Sequence, residues 1–131
     1  AMSKIKSIST INAPAALGPY SQAIRAGGFI YISGQIPLVP ETMEIVSSDF
    51  NKQTMQVFNN LKAIIEESGA SISNTVKINV YLKDLSNFQK VNSIMEEFFT
   101  EKPFPARAAV EVSRLPKDVD IEIDAVVFDD D

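Results

Sequence analysis

Between residues 49 and 68 the apolar positions Phe50, Val57, Phe58, Leu61, Ile64 and Ile65, together with Thr54, recur at spacings of three and four. That rhythm winds into one stripe along an α-helix, and a stripe must be covered by another layer. The spacing predicts a helix over 49–68, with Ser48 able to cap its start and Gly69 placed as a left-handed terminator. The period then changes. Over 75–82, Val76, Ile78, Val80 and Leu82 alternate with Lys77, Asn79 and Tyr81, as in a strand with one buried face.

The remaining elements fall around these two. Residues 4–10 read as a first strand and Asn12–Pro19 as a loop. Residues 21–26 and 29–33 flank Gly27-Gly28, the signature of a two-residue hairpin. Phe29–Ile32 is apolar throughout and predicts a central strand covered on both faces, closed by Gly34 ahead of a turn over 37–42. Ser86 and Gln89 form a capping-box pattern for a second helix running to Phe99, with the stripe Phe88, Val91, Met95 and Phe98. Beyond Pro103 and Pro105, residues 106–112 and 119–128 read as closing strands. The order predicts an α+β domain in which two helices cover one face of a sheet of about six strands.

No repeat, linker or composition shift divides the 131 residues, which read as a single domain. Ala1, ahead of Met2, reads as an expression remnant, and Asp129–Asp131 as a solvated acidic tail. The apolar runs are too short for a bilayer and no signal-peptide core is visible, so a cytoplasmic protein is expected.

Two absences restrict the chemistry. The chain has no cysteine and no histidine, which excludes disulfides, thiolate catalysis, thiolate zinc sites and Ser-His or Cys-His pairs. Acid–base work falls to Asp, Glu, Lys, Tyr, backbone or water. A formal charge of −5 argues against a nucleic-acid partner but permits a small anion held by one arginine.

The second sheet face is expected to collect Lys77, Asn79, Tyr81, Arg107, Glu111, Asp120, Glu122 and Asp124. Pattern alone favours a solvated face; the alternative is a subunit interface whose buried charges make a site. Arg25 and Arg114 read as exposed. Arg107, set between Pro105 and Ala108-Ala109-Val110, reads as shielded, with Glu111, Glu122 or a ligand carboxylate as its partner. Three weaker candidates are Asn92 beside the second helix's stripe, where an Asn usually bonds a neighbouring carbonyl, Tyr20 after Gly18-Pro19, equally suited to plain packing, and Ser33-Gly34, where the missing Cβ lets a ligand approach the backbone.

Residues 12–23 (NAPAALGPYSQA), Ser33-Gly34-Gln35-Ile36-Pro37, the block 104–112 (FPARAAVEV), Leu115-Pro116-Lys117-Asp118 and Ile121-Glu122-Ile123 resemble the signatures of the Rid family (reactive intermediate deaminases, also called YjgF). Val76-Lys77, residues 80–85 (VYLKDL) and Val91-Asn92 match the family's middle, so the resemblance spans essentially the whole chain. It implies a chorismate-mutase-like α+β fold, a homotrimer with sites between subunits, and hydrolysis of 2-imino acids to 2-keto acids without a cofactor. By the same resemblance Arg107 binds the substrate carboxylate and Glu122 handles the attacking water. Tyr20, Ser33, Gly34, Asn92 and Ala109 fall on the remaining site positions. Many family members carry cysteine where Ala109 stands; the backbone carbonyl is retained and thiol modification is lost. Rival readings are an endoribonuclease, which the acidic charge and absent histidine disfavour, and a keto-acid or amino-acid sensor without turnover.

Overall fold

The helix expected over 49–68 forms as α1 (Phe50–Glu67), and every residue of its predicted stripe is buried. Its cap is Asp49 and not Ser48: the Asp49 carboxylate accepts the Lys52 amide at 3.0 Å. One residue decides this, because the capping oxygen must reach the amide three positions on. Gly69 takes the left-handed conformation at φ 88° and stops the helix, as expected.

The computed structural model describes residues 4–129, so Ala1 and Asp130–Asp131 lie outside the described residues. Six strands make one sheet: β1 (Ile5–Ile8), β2 (Ala23–Ala26), β3 (Phe29–Gln35), β4 (Thr75–Leu82), β5 (Ala106–Glu111) and β6 (Ile121–Phe128). Their order is β1-β2-β3-β6-β4-β5; β4 and β5 run parallel and every other pair is antiparallel. Helix α1 therefore joins β3 to β4 across the place taken by β6, and α2 (Phe88–Phe98) joins the parallel pair β4 and β5. This is the expected α+β arrangement.

The core lies between the helices and one sheet face. Phe58 is fully buried at its centre, its ring 5.0 Å from Phe98 and 5.9 Å from Phe99. Ile30, Ile32, Ile78, Val80, Leu82, Ile121, Ile123 and Val127 face it from the three strands β3, β4 and β6. Each such side chain, fully buried, contributes about 1.5–3 kcal/mol.

Several local expectations give way. In β3 the inward residues Ile30 and Ile32 are buried, but Phe29 and Tyr31 remain 38% and 49% exposed on the helix-free face. A continuous apolar run reports that both faces suit apolar surroundings; it does not make one chain supply both. The strand does not end at Gly34 either, but continues to Gln35 through a bulge. In β4, a bulge between Thr75 and Lys77 leaves Val76 exposed, and Thr75 takes the buried place. The Ser86–Gln89 capping box does not form. A 3-10 turn over Leu85–Asn87 precedes α2, and its cap is the Asp84 carboxylate, which accepts the Ser86 amide at 2.9 Å. Asp129 is not part of a free tail: it pairs with Arg25 at 3.0 Å.

Candidate active site

Strand β5 lies at the sheet edge, with Arg107 opposite Ile78, Ala109 opposite Val80 and Glu111 opposite Leu82. Directly opposed residues share a face, and those three β4 residues point into the core. Arg107, Ala109 and Glu111 thus stand on the helix side, which corrects the expectation that Arg107 and Glu111 share a face with Glu122. Alternation along one strand groups residues correctly but cannot say which group faces the helices. An edge strand tolerates a guanidinium there because the helix layer ends beside it.

That side chain turns toward α2. Its Nη1 donates to Asn92 Oδ1 at 2.5 Å and contacts Met95 Sδ at 3.3 Å, while Cζ sits 4.6 Å from the Phe88 ring centroid. Asn92 is in turn within 3.4 Å of Gln89 Oε1. Ring, thioether and amide fix the guanidinium plane, and no carboxylate pairs with it among the described residues. The expected partners are engaged or placed elsewhere: Glu111 accepts the Leu85 amide at 2.9 Å, and Glu122 lies on the opposite face. Arg107 is exposed rather than shielded, and it borders a cavity of about 480 Å³ shared with Asn92, Ser93, Phe104 and Pro105.

Arg25 and Arg114 differ from it. Arg25 was expected to be exposed, yet its guanidinium is largely covered and donates to Ser68 O at 2.7 Å and to Asp129. It binds the C-terminal end of α1, where carbonyls carry partial negative charge. Arg114 is exposed, as expected, and sits 3.6 Å from Asp118.

The other candidates gather on the far side of the sheet. Glu122 is opposite Tyr81 and Asp124 is opposite Asn79, all on the helix-free face. Tyr81 Oη donates to Asp124 Oδ2 at 2.9 Å, and Asn79 Nδ2 donates to Asp124 Oδ1 at 2.8 Å. Glu122 packs against Gly34, where a Cβ would overlap its Oε2 and lie only 3.0 Å from Cδ. The β3 bulge carries Gly34 to this place, a usual function of a bulge beside a site. Burial pushes the Glu122 carboxyl above its ordinary value, and the nearby Asp124 charge adds to that rise. The same carboxylate holds the Tyr81 phenol above its usual range, chiefly through their hydrogen bond.

Ser33 fastens the preceding loop, its Oγ donating to Ser21 O at 2.6 Å and its amide to Gln22 O at 3.0 Å. Gln22, buried and overlooked in the sequence, donates to the carbonyls of Thr10, Ala13 and Pro14 and so shapes the loop. Tyr20, 55% exposed, lines a second cavity of about 180 Å³ with Leu17, Gly34, Ile36 and Met43. The candidates thus fall into two groups, Arg107 with Asn92 and Ala109 on one side, and Tyr20, Ser33, Gly34 and Glu122 on the other. Among the described residues no group of three or more acidic side chains could hold a metal.

Two crossover helices on one face of a mixed six-stranded sheet, with the other face bare, define an α+β domain whose polar groups divide between an edge and an uncovered face. The family model described as endoribonuclease L-PSP matches residues 10–128. A RutC family protein of Pyrococcus abyssi is 56% identical over 121 residues, covering 92% of this chain and 94% of that protein. The 2-iminobutanoate/2-iminopropanoate deaminase of Escherichia coli K12 is 51% identical over 123 residues, covering 92% of this chain and 95% of the enzyme. The solved structure of E. coli TdcF with bound serine is 40% identical and superposes with a TM-score of 0.89, covering 94% of this chain and 98% of that one. The chain belongs to the Rid (YjgF) family, as its sequence signatures implied.

Proposed function

We propose that the chain hydrolyses 2-imino acids to 2-keto acids and ammonia, in sites assembled between the subunits of a homotrimer. The observation that carries this reading is the division of polar groups. Arg107 presents an unpaired guanidinium at the β5 edge on the helix side, while Glu122 presents a raised carboxyl on the bare face of β6. Strand β4 lies between, so roughly 10 Å of sheet and a change of face separate them. No single small substrate reaches both within one chain. A second copy laid on the bare face brings its Arg107 edge to the first copy's Glu122. Phe29, Tyr31, Val110 and Phe128, each more than a third exposed, provide apolar surface for that contact.

In the assembled site Arg107 holds the substrate carboxylate in its planar fork, with Asn92 and Phe88 fixing the plane. The Gly34 amide shares that carboxylate, Tyr20 and Ser33 border it, and the Ala109 carbonyl faces the imine nitrogen. Glu122 takes a proton from water as the water oxygen bonds to the carbon of the iminium form of the substrate, which leaves a neutral aminol. Glu122 then gives that proton to the aminol nitrogen and takes the hydroxyl proton as the C–N bond breaks, so ammonia leaves a 2-keto acid and solvent receives the last proton. Water supplies the oxygen and no cofactor enters. Imines of this kind hydrolyse unaided, so orientation and modest proton transfer suffice for acceleration. A carboxylate-bearing amino acid in TdcF and imino acids in the name of the E. coli deaminase support the same ligand class.

The test generates 2-iminopropanoate or 2-iminobutanoate from the amino acid and follows its disappearance. Decay that quickens in proportion to added protein is expected; decay identical with and without protein removes the hydrolase reading. Cleavage of a phosphodiester fits this chain poorly, because 17 acidic residues outweigh 12 basic ones and no histidine is present to shuttle protons.

A further inference from the structure

We propose that Asp124, clamped by Asn79 and Tyr81, is a positioning residue that sets the proton affinity of Glu122 on the bare sheet face. The inference rests on the hydrolase reading and adds to it a group that the substrate does not touch.

The geometry is a square of four side chains on two antiparallel strands. Tyr81 stands opposite Glu122 and Asn79 opposite Asp124. Two residues apart on β6, the two carboxyl-bearing Cα atoms are separated by about 7 Å, and both side chains rise from the same face. Tyr81 does not donate to the glutamate across from it; its hydroxyl runs diagonally to Asp124 Oδ2 at 2.9 Å. Asn79 holds the other oxygen at 2.8 Å. Each carboxylate oxygen of Asp124 thus receives one donor and its plane is fixed. Glu122 receives neither donor and turns instead toward the gap at Gly34. The chain spends its two neutral donors on the carboxylate that does no chemistry and leaves the other free to exchange a proton.

Other titratable or charged groups near Glu122 are Asp120, two residues before it, Tyr31 and Lys77, which flank Val126 two residues beyond Asp124, Tyr20 and Lys117, which line the cavity that Gly34 borders, and, in the proposed trimer, the neighbouring subunit's Arg107. Asp124 therefore stands between Glu122 and Lys77 and screens Glu122 from that cation. From β3 the group packed against Glu122 is Gly34, which carries no charge. Asp124 is a near charge two residues from Glu122 on the same face, and a like charge at this range favours the protonated neighbour. The rise in Glu122, caused first by burial and second by Asp124, agrees with this placement.

The test compares the full-length protein with Asp124→Asn, which keeps shape and removes charge. Carbon-13-labelled glutamate gives the Glu122 titration directly by NMR, assigned by its loss in Glu122→Gln, and the acid limb of kcat/KM for imine hydrolysis gives it kinetically. Both midpoints should move toward acid by about half a unit to one unit in Asp124→Asn. In a Glu122→Gln background Asp124→Asn should leave the remaining pH profile unmoved. Should Asp124→Asn fail to fold, Asp124→Ser, which also removes the charge, is read in its place, with the same direction of shift. An unmoved or alkaline-shifted Glu122 midpoint overturns the proposal. Wild-type protein that shows the NMR shift but no turnover sinks the hydrolase reading and leaves the carboxylate coupling standing.

Discussion

Gly34 and Glu122 occupy complementary space: a methyl group on residue 34 would overlap the glutamate's Oε2. The glycine is required by close approach, and its φ is not in the left-handed region. Gly34→Ala should therefore leave the fold intact, because a terminal carboxylate can swing aside at little cost. It should lower imine hydrolysis tenfold or more, by about 1.4 kcal/mol of transition-state stabilisation. Unchanged melting with lost turnover is the expected pair of results; unchanged turnover would detach Glu122's position from the chemistry.

The arginines separate site from scaffold. Arg107→Ala should abolish acceleration of imine hydrolysis, and Arg107→Lys should impair it, since an ammonium does not reproduce the bidentate fork. Arg25→Ala should keep activity per folded molecule but lose about 1–3 kcal/mol of stability, because Arg25 ties Ser68 O and Asp129 together. Chemical denaturation and the coupled assay on the same samples check both. Full activity in Arg107→Ala would end the carboxylate-clamp assignment.

The raised Glu122 carboxyl has consequences of definite sign for activity and stability. The water-activating form is the anion, so activity is lost as pH falls through the folded value, which lies above the ordinary glutamate value of 4.5. Glu122→Gln should remove that acid limb along with most of the rate. For stability the sign reverses. Below the unfolded value both states are protonated and the group is neutral to folding, whereas above the folded value the native state carries a charge it disfavours. Glu122→Gln should thus melt higher than wild type at neutral pH and equally at about pH 4. A variant less stable at neutral pH would show that the neighbouring subunit's Arg107 holds the Glu122 anion in the assembled trimer more strongly than burial within one chain opposes it.

What could be read from the sequence was parity and period; what could not was orientation. The α1 stripe, the β4 alternation from Lys77 onward and the Gly27-Gly28 hairpin follow from local spacing and form, whereas Val76 loses its expected buried place to Thr75 at the bulge. Arg107, Ala109 and Glu111 were grouped correctly, yet their face was misread because β5 alone carries no marker of which side meets the helices. The pairing of Arg107 with Phe88 and Met95 needed the parallel β4–β5 crossover, although both residues were already on the α2 stripe. The caps failed by one or two positions, where Asp49 and Asp84 outcompete the neighbouring serines for amides. The resemblance of the C-terminal block gave Arg107 and Glu122 their expected roles without giving the distance that keeps them apart in one chain.

That separation yields the sharpest prediction, because it decides which chains build a site. Light scattering should find a trimer across the micromolar range, and a monomer's mass would remove the site between subunits. Mass alone, however, does not show that catalysis crosses the interface. Mixing does. Arg107→Ala and Glu122→Gln subunits should each be nearly inactive alone. Co-expressed or co-refolded in equal amounts, they form mixed trimers in which some interfaces join an intact Arg107 to an intact Glu122. A cyclic trimer has equivalent head-to-tail interfaces, so with random assembly about one interface in four combines the two intact groups. Activity should therefore recover to about a quarter of wild type per site, and mixing the folded trimers without subunit exchange should recover none. If both groups served the same chain's site, every chain would lack one of them and mixing would restore nothing. Recovery after co-refolding assigns Arg107 and Glu122 to neighbouring subunits; its absence, with mixed trimers verified by mass, returns both to one chain and contradicts the faces on which β5 and β6 hold them.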